Sequence, residues 1–530
     1  MSFIDRNPVV GLERQTIYFP EQLLLTYEGR TWNNAEFFAE VREQATALHA
    51  AEVKPGDRVV YLGLNSVSFM RTMFACWWLG AVFVPLNFRL APREIAGLLE
   101  QSAPRVLLVE PGHLETIETM LGYPDVEIGD MVLLLIDDDH AIENPSAIDA
   151  PWTPASTWIA EHVADAADPA VQGADEDDLA ILMFTSGTTG KPKGVELSYG
   201  NIWWNSVNVD SLVDTRRGDT NLAVAPLFHI GGLNALTIRV MVRGGHVVVR
   251  RTFDPRQALK DIEEYQVNQA FLVPAMLSAM AQTDEFADSK IESLRALICA
   301  GAPVPTILLR QYQAKGVEVQ QAWGLTETAP FATYLPAELT HQRPGSCGVP
   351  MPFTQIKVVD PLTSIDVEES GQTGELWVKG PNVTRRYWNN PKATEDAFSD
   401  GWFRSGDIGY RDADGFLYVV DRLKDMIITG GENVYPAEVE RALMEYPGAL
   451  DVAVVGVADD QWGEAVVAVL SCVDGTVPSI EDVREFSAGL LARYKLPKRL
   501  ILTGSVPRNG SGKLDKAAVR LLANKTLEVK

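Results

Sequence analysis

Cysteine and histidine are scarce in this chain. Its 530 residues include four cysteines and seven histidines. The cysteines, Cys76, Cys299, Cys347 and Cys472, are scattered, with neither the spacing of a metal site nor that of a disulfide framework. The histidines show no paired ligand spacing either. The sequence therefore argues against a disulfide-stabilised secreted domain and a structural zinc site, and it predicts buried thiols in a reducing compartment.

Long apolar runs are also missing. The most apolar stretch, residues 73–84, is bounded by Arg71 and Pro85 and is too short to span a bilayer. The first residues, Met1 to Arg6, lack the basic segment and apolar run of a secretory signal. We therefore expect no transmembrane segment.

An excess of basic residues is the third feature that the chain lacks. It has 46 Lys and Arg against 71 Asp and Glu, a formal net charge of −25. Nucleic acids and anionic lipid surfaces require a basic face, so this balance argues against both as partners. We expect a cytoplasmic protein that does not bind nucleic acid.

What is present is an ordinary globular composition, 46% apolar and 22% charged, in a chain too long for one hydrophobic core. Segments typical of strands and helices alternate, which predicts βαβ units and mostly parallel sheets. Helices are predicted at 66–78 and 92–102. The predicted strands are 58–64, 82–86, 105–110, 131–136, 220–225, 247–250, 270–273 and 296–299.

The later part of the chain has a different pattern of apolar and turn-forming residues. Short runs between Gly, Pro and Asp turns in residues 345–418 predict antiparallel strands in a small barrel-like subdomain. After a charged junction at 421–425, the remaining residues suit a small independent domain. The predicted fold class is α/β: two α/β subdomains with parallel sheets plus a β-barrel-like subdomain, followed by a small α+β domain.

The most distinctive stretch is residues 184–195, which follows the apolar run 179–184, a predicted buried strand. Its glycines, hydroxyls and lysines suit a polyphosphate, because backbone N–H groups, O–H donors and positive charge can converge in one loop. It is not the Walker pattern, since its glycines are too close together and Pro192 interrupts it. A flexible turn is the alternative. The predicted phosphate-binding residues are Thr185, Ser186, Gly187, Thr188, Thr189, Gly190 and Lys193.

Two further stretches of the central region carry useful side chains. His229 stands alone among apolar residues and glycines, where a buried core histidine is the ordinary alternative. Thr326 and Glu327 end an apolar segment, which suits Mg²⁺ and phosphate but equally a helix start.

Three stretches of the later region also contain candidate functional residues. Asp407 lies in a tight turn, where it could accept hydrogen bonds from ribose hydroxyls or simply close the turn. The glycine pair 430–431 allows close approach of another molecule to the backbone. Lys513 follows a flexible turn before a final helix, where an exposed surface lysine is the alternative.

Taken together and in this order, these stretches resemble the adenylate-forming superfamily of acyl-CoA synthetases, luciferases and peptide-synthetase adenylation domains. The resemblance covers nearly the whole chain and includes residues 184–195, 323–327, 405–407, 418–440 and 508–513. It implies a two-step reaction. A carboxylate attacks the α-phosphate of ATP to give an acyl-adenylate and pyrophosphate, and the thiolate of coenzyme A then displaces AMP.

The resemblance also implies roles for single residues. Thr326 would contact the α-phosphate, Glu327 would help bind Mg²⁺, and Lys513 would bridge ATP and the attacking carboxylate. His229 would form a gate beside the acyl carboxylate. The implied nucleotide contacts are Trp323 and Gly324 in the same motif, Asp407 and Arg422 at the ribose, and Gly301, Ala302 and Pro303 at adenine, although Cys299-Ala300 departs from the usual pair before that segment.

A mobile C-terminal domain belongs to the same resemblance. It implies a large AMP-binding domain at 1–421, a hinge at 422–425 around Lys424, and a small domain at 426–530 that carries Lys513. In a second orientation of the small domain, Gly430, Gly431 and Glu432 would line the path of the coenzyme A thiol.

Several functions remain open among members of this superfamily. We favour an acyl-CoA ligase over an acyl-AMP ligase that loads a carrier protein, a luciferase-like oxidase and a non-catalytic binding relative, because the phosphate loop, Glu327 and Lys513 are all retained and no carrier domain follows.

The residues expected near the acyl group indicate the kind of acid that is activated. Gly231 and Gly232 are expected to leave room for a tunnel, and Phe331 to add bulk, so an apolar monocarboxylic acid is predicted. A medium or long fatty acid is favoured, with an aryl or alicyclic acid as the alternative. A homodimer and peripheral membrane contact are compatible with the sequence but not indicated by it.

Overall fold

The protein is described from a computed structural model that covers residues 5–127, 129–142, 151–164, 166–185, 192–429, 432–459, 462–473, 475–508 and 514–528. Packing divides the chain into two compact units. Unit 1 comprises Met1–Ile356 with Val378–Phe403, and unit 2 comprises Lys357–Trp377 with Arg404–Lys530. The predicted domain limits, 1–421 and 426–530 with a hinge at 422–425, stay a prediction.

The helices and strands follow the chain in regular alternation. Up to residue 163 they are α1 (Pro8–Tyr18), β1 (Leu23–Tyr27), β2 (Arg30–Asn33), α2 (Asn34–Ala50), β3 (Arg58–Leu62), α3 (Val67–Trp78), β4 (Val82–Leu86), α4 (Pro92–Ser102), β5 (Val106–Val109), α5 (Leu114–Leu121), β6 (Val132–Leu135), β7 (Thr153–Pro154) and α6 (Ala155–Val163).

The central region continues the alternation. Its elements are β8 (Leu179–Thr185), β9 (Lys193–Ser198), α7 (Tyr199–Leu212), β10 (Thr220–Ala223), α8 (Ile230–Asn234), α9 (Thr237–Val242), β11 (His246–Val249), α10 (Pro255–Glu264), β12 (Gln269–Leu272), α11 (Pro274–Ala281), β13 (Ala296–Cys299), α12 (Thr306–Gln313), β14 (Val319–Gly324), β15 (Phe331–Leu335) and β16 (Val349–Pro350).

The last region contains shorter helices and longer antiparallel strands. Its elements are β17 (Gln355–Val359), β18 (Gly374–Lys379), α13 (Pro391–Ala397), β19 (Phe398–Ser399), β20 (Trp402–Arg411), β21 (Leu417–Arg422), β22 (Ile427–Thr429), β23 (Glu432–Val434), α14 (Pro436–Leu443), β24 (Ala449–Asp459), β25 (Gly463–Cys472), α15 (Ile480–Ala488), β26 (Arg499–Leu502) and α16 (Lys516–Glu528).

Local sequence signals account for many of these boundaries. The Ser66 hydroxyl accepts the N–H of Phe69 at 3.0 Å and caps α3, as the sequence predicts. All five residues of β4 are buried. An uninterrupted apolar run is what a strand covered by helices on both faces requires.

Unit 1 contains two sheets. The seven-stranded sheet has the order β7-β6-β5-β3-β4-β8-β9, and the nine-stranded sheet has the order β16-β15-β14-β13-β12-β10-β11-β1-β2. Most neighbours are parallel, as expected, but β9, β15, β16 and β2 pair antiparallel. These sheets are therefore mixed, because a strand that follows its neighbour through a short connection can only run back antiparallel to it.

Two further five-stranded sheets lie wholly or mostly in unit 2. In the first of them, β18 lies between β17 and β20, and β20 pairs antiparallel with β19 and β21, which confirms the predicted antiparallel region. The second sheet has the order β23-β22-β25-β24, with β26 parallel to β25. Along β24, Val452 and Val454 enter one apolar cluster, and Ala453 and Val455 enter another. Both faces of this sheet are thus covered, which agrees with an α+β domain.

Two expectations about the whole chain can also be compared with the structure. In the part of the chain that is described, no helix combines the length and apolarity that crossing a bilayer requires. Cys76, Cys299 and Cys347 are buried thiols, whereas Cys472 is partly exposed.

Candidate active site

The predicted phosphate loop lies at the end of a β-hairpin. Strand β8, buried from Ala180 to Met183, pairs antiparallel with β9, and Thr185 lies opposite Lys193. Both ends of the loop are therefore held together by the strand register. Ser186, Gly187, Thr188, Thr189 and Gly190 lie outside the described residues, so their predicted role stays a prediction.

Several predicted site residues follow strands of the nine-stranded sheet. The strands β10, β12, β13 and β14 are parallel neighbours, so their carboxyl ends lie at one edge. His229 follows β10, Gly301 to Pro303 follow β13, and Thr326 and Glu327 follow β14. The carboxyl edge of parallel strands is where α/β sheets usually bind ligands. The structure thus brings these residues to a common edge.

The turn after β14 is fixed by a close backbone approach. A β-carbon at Gly324 would lie 1.8 Å from the carbonyl oxygen of Pro330, so only glycine fits there. Thr326–Thr328 form one turn of 3₁₀-helix, and Thr328 Oγ1 accepts the N–H of Leu325 at 2.8 Å. Glu327 is 8% exposed. The turn therefore presents a carboxylate with restricted solvent access beside the half-buried Thr326.

A residue that the sequence analysis missed contacts this carboxylate. The Tyr387 hydroxyl donates a hydrogen bond to Glu327 Oε1 at 2.8 Å. The Lys193 ammonium lies 5.0 Å from the centroid of the Tyr387 ring. Burial and the nearby Glu327 charge both raise the pKa of Tyr387, so its hydroxyl stays protonated and donates. Tyr387 thus links the phosphate hairpin to the turn of Glu327.

His229 is exposed at the start of α8, which removes the alternative of a buried core histidine. Asn65 fixes the segment before it, because its side chain accepts the N–H of Leu227 at 2.8 Å and donates to Ala225 O at 3.0 Å. The ring of Phe228, next to His229, packs edge-on against Phe88. The backbone around His229 is therefore anchored from the seven-stranded sheet.

The two glycines after His229 do not leave the room that the sequence analysis expected. A β-carbon on Gly231 would lie 2.6 Å from two atoms of the Phe271 ring, and one on Gly232 would lie 2.4 Å from the Pro226 carbonyl oxygen. Both positions are glycine because neighbours approach closely. The expectation of open space here was therefore wrong, since that space is filled by Phe271 and by backbone.

Phe271 belongs to an apolar cluster behind this segment. Its ring centroid lies 6.3 Å from that of Phe331, which is 2% exposed, and both rings pack with Ala300 and Ala322. The aromatic pair and two small residues give this region a compact apolar wall. Gly301, with φ of +90°, leads from that wall to the exposed residues Ala302 and Pro303.

In unit 2, Asp407 and Arg422 lie opposite each other on β20 and β21. Arg422 Nε lies 2.5 Å from a carboxylate oxygen of Asp407, which is 4% exposed. The pair is therefore formed by strand register. Lys424 is exposed in the turn Leu423–Asp425, and Glu432 is exposed at the start of β23. Gly430, Gly431 and Lys513 lie outside the described residues.

The donor set fits a magnesium ion that is bound together with a nucleotide. Mg²⁺ prefers oxygen ligands and is commonly held by one or two carboxylates and substrate phosphates. The described residues contain no cluster of three or more His, Cys, Asp or Glu that could bind a metal unaided. A single buried carboxylate, Glu327, with the Thr326 hydroxyl beside it matches the first arrangement.

Known proteins resemble this chain over nearly its whole length. A family model described as AMP-binding enzyme matches residues 12–388, and one described as AMP-binding enzyme C-terminal domain matches residues 438–513. Feruloyl-CoA synthase from Amycolatopsis sp is 39% identical over 94% of this chain and 96% of its own length. The long-chain-fatty-acid–CoA ligase FadD13 of Mycobacterium tuberculosis is 38% identical over 92% of both chains.

A solved structure of a related enzyme has the same fold over nearly its whole length. O-succinylbenzoate coenzyme A synthetase (MenE) from Bacillus subtilis, in complex with ATP and magnesium ion, superimposes with a TM-score of 0.81 and is 32% identical. The match covers 96% of this chain and 98% of that one.

Proposed function

The chain belongs to the AMP-binding enzyme family, and from this premise we propose which acid it activates and which residues act on it. It is an acyl- or aryl-CoA ligase, an acid–thiol ligase that forms AMP. Its substrates are a small carboxylic acid, ATP and coenzyme A, and Mg²⁺ accompanies the ATP. The observation that carries the assignment of roles is the common edge that His229, Gly301 and Glu327 occupy.

In the first half-reaction, a carboxylate oxygen of the acid attacks the α-phosphorus of ATP, and pyrophosphate leaves with the bridging oxygen. Bound Mg²⁺ would neutralise charge on the phosphates. Thr185 and Lys193 would bind the β- and γ-phosphates with residues 186–190, Thr326 would donate to the α-phosphate, and Glu327 would hold the metal. Preorganised donors of this kind each contribute roughly 10²–10³ in rate.

Separate residues would contact the base and the ribose of the nucleoside. Adenine would stack on Gly301 to Pro303 beside Trp323 and Gly324, and Asp407 would accept hydrogen bonds from the ribose hydroxyls. The ion pair with Arg422 orients the Asp407 carboxylate. Lys513 would bridge the α-phosphate and the acid, while His229 would face the acyl carboxylate.

In the second half-reaction, the thiolate of coenzyme A attacks the acyl carbon, AMP leaves and a thioester forms. Gly430, Gly431 and Glu432 would line the thiol path once residues 426–530 have turned about Lys424. These roles, the hinge at 422–425 and the domain limits 1–421 and 426–530 are part of the proposal.

For the acid, we propose a compact aryl monocarboxylic acid. The supporting observation is that the Phe271 ring covers Gly231 and packs with Phe331, so the acyl region is walled by aromatic side chains. Flat rings pack favourably against such walls. The similarity to feruloyl-CoA synthase agrees with this choice. A medium or long fatty acid is the second candidate, favoured by the similarity to FadD13.

A substrate panel tests the proposal. ATP, Mg²⁺ and coenzyme A are combined with acids from acetate to palmitate and with benzoate, coumarate, ferulate, indoleacetate and cyclohexanecarboxylate, and AMP and thioester are both measured. The highest kcat/KM with an aryl acid is expected. A maximum within one window of chain lengths would instead select the fatty acid. Adenylate without thioester for every acid would refute the coenzyme A step and indicate transfer to a carrier protein.

A further inference from the structure

The hydroxyl and the ring of Tyr387 make different contacts. The hydroxyl donates to Glu327 Oε1 at 2.8 Å, and the ring faces the Lys193 ammonium at 5.0 Å from its centroid. Tyr387 is 6% exposed and Glu327 is 8% exposed. A hydrogen bond to a carboxylate is among the stronger ones, and restricted solvent access strengthens it further.

The backbone around Tyr387 is hydrogen-bonded both to the turn of Glu327 and to strand β9. The Thr384 N–H donates to Glu327 O at 2.7 Å, while the Thr384 hydroxyl donates to Glu196 O at 2.6 Å. On the other side, the Trp388 N–H donates to Gly194 O at 2.7 Å. The segment 384–388 therefore runs between β9, which starts at Lys193, and the turn of Glu327.

This arrangement fixes the direction of the Glu327 side chain. Its backbone carbonyl is bound through Thr384 and one carboxylate oxygen through Tyr387. With the backbone of Glu327 and one of its carboxylate oxygens both bound, the side chain keeps one orientation without needing the metal to impose it. Partners that orient a metal ligand in this way typically change metal affinity by about 10–100-fold when they are removed.

We propose that Tyr387 is a positioning residue that orients the Glu327 carboxylate for the Mg²⁺ that accompanies ATP, while its ring positions Lys193 for the phosphates. The inference rests on the proposed role of Glu327. It assigns to Tyr387 no contact with substrate.

Tyr387→Phe separates the two contacts, because it removes the hydroxyl and keeps the ring under Lys193. The probe is Mn²⁺, titrated by electron paramagnetic resonance in the presence of α,β-methylene-ATP, which cannot be cleaved to AMP. We expect the Kd of Mn²⁺ to rise about tenfold in this variant. The rate of thioester formation from preformed acyl-adenylate and coenzyme A, a step without ATP, should stay unchanged.

Tyr199→Phe is the matched control. Tyr199 is 1% exposed, and its hydroxyl has no hydrogen-bond partner among the described residues. The same chemical change at this position should leave Mn²⁺ affinity as in the wild type. Tyr387→Leu, which also removes the ring, should weaken α,β-methylene-ATP binding beyond the effect of Tyr387→Phe.

Glu327→Gln completes the test as a double-mutant cycle with Tyr387→Phe. The inference predicts that the hydroxyl contributes little once the carboxylate is gone, so the two losses should not add. Additive losses, or a Tyr387→Phe variant that binds Mn²⁺ as tightly as the wild type, would overturn the inference alone. If the wild type binds Mn²⁺ only as weakly as Glu327→Gln, the proposed role of Glu327 fails and the inference with it.

Discussion

Replacing Gly231 by alanine places one methyl group against the wall of the proposed acyl site. The new carbon would lie 2.6 Å from Cε1 and Cζ of Phe271. Carbon atoms in contact are normally about 3.5–4.0 Å apart, so the ring must move by roughly 1 Å. Phe271 is half-buried, whereas its neighbour Phe331 is 2% exposed, so Phe271 is expected to shift more easily. With the acyl group placed as proposed, we expect the ring to move toward a bulky acid.

The size of the effect follows from overpacking. Extra methyl groups in well-packed regions typically cost about 1–3 kcal/mol. If that cost falls on substrate binding, kcat/KM drops roughly 5- to 150-fold for the bulkiest aryl acid that is activated. The kcat/KM for the smallest acid that is activated should change less than twofold, because that acid does not reach the Phe271 ring. The rate of pyrophosphate release, measured at several concentrations of each acid, gives kcat/KM for the bulkiest and for the smallest acid.

Gly97→Ala is the control for the methyl group itself. Gly97 lies in α4, and a β-carbon there meets nothing within 4 Å, so this variant should behave as the wild type. The melting temperature of both variants shows whether the cost falls on the fold instead. An equal loss for all acids, or no loss for any, would refute the placement of Phe271 beside the acyl group.

Three further changes test other parts of the structure. Asn234→Ala removes the 2.6 Å hydrogen bond to Ala329 O and leaves a buried carbonyl unpaired, so urea unfolding should show a loss of about 1–3 kcal/mol; an unchanged midpoint would contradict this. Lys424→Pro should slow thioester formation more than adenylation, and equal losses in the two half-reactions would rule out the hinge. Burial raises the pKa of Asp421 to about 6, so its protonated form stabilises the fold and that stabilisation is lost as pH rises from about 4 to about 6. Relative to Asp421→Asn, the wild type should therefore lose unfolding free energy over that range, and parallel pH profiles would argue against it.

Most of the secondary structure could be predicted because its signals are local. Ser66 caps a helix three residues before the N–H that it accepts, and the apolar run at 179–184 needs both faces of a strand covered. Such signals lie within a few positions of one another. The antiparallel course of β9 was not predicted, because its direction depends on a hairpin whose loop was interpreted only for its chemistry.

The candidate site was predicted unevenly for the same reason. His229, Glu327 and Asp407 stood out because reactive side chains lay beside glycines or strand ends. Tyr387 did not, since its contact with Glu327 joins residues 60 positions apart. The role of Gly231 was misjudged because the Phe271 ring that fills the space is also distant in sequence, about 40 positions away. Contacts of this kind arise only when the sheets assemble.

The nine-stranded sheet also sets an order of events during synthesis. Leu25 of β1 pairs with Val247 of β11, so about 220 more residues must be synthesised after β1 before its parallel partner exists. At about 5–20 residues per second, that interval lasts roughly 10–45 s. Of the two native partners of β1, β2 is already present during this time, since it follows at once and is antiparallel to β1. The hairpin of β1 and β2 thus covers one edge of the nascent strand, while its other edge stays open to pairing with other chains until β11 is made.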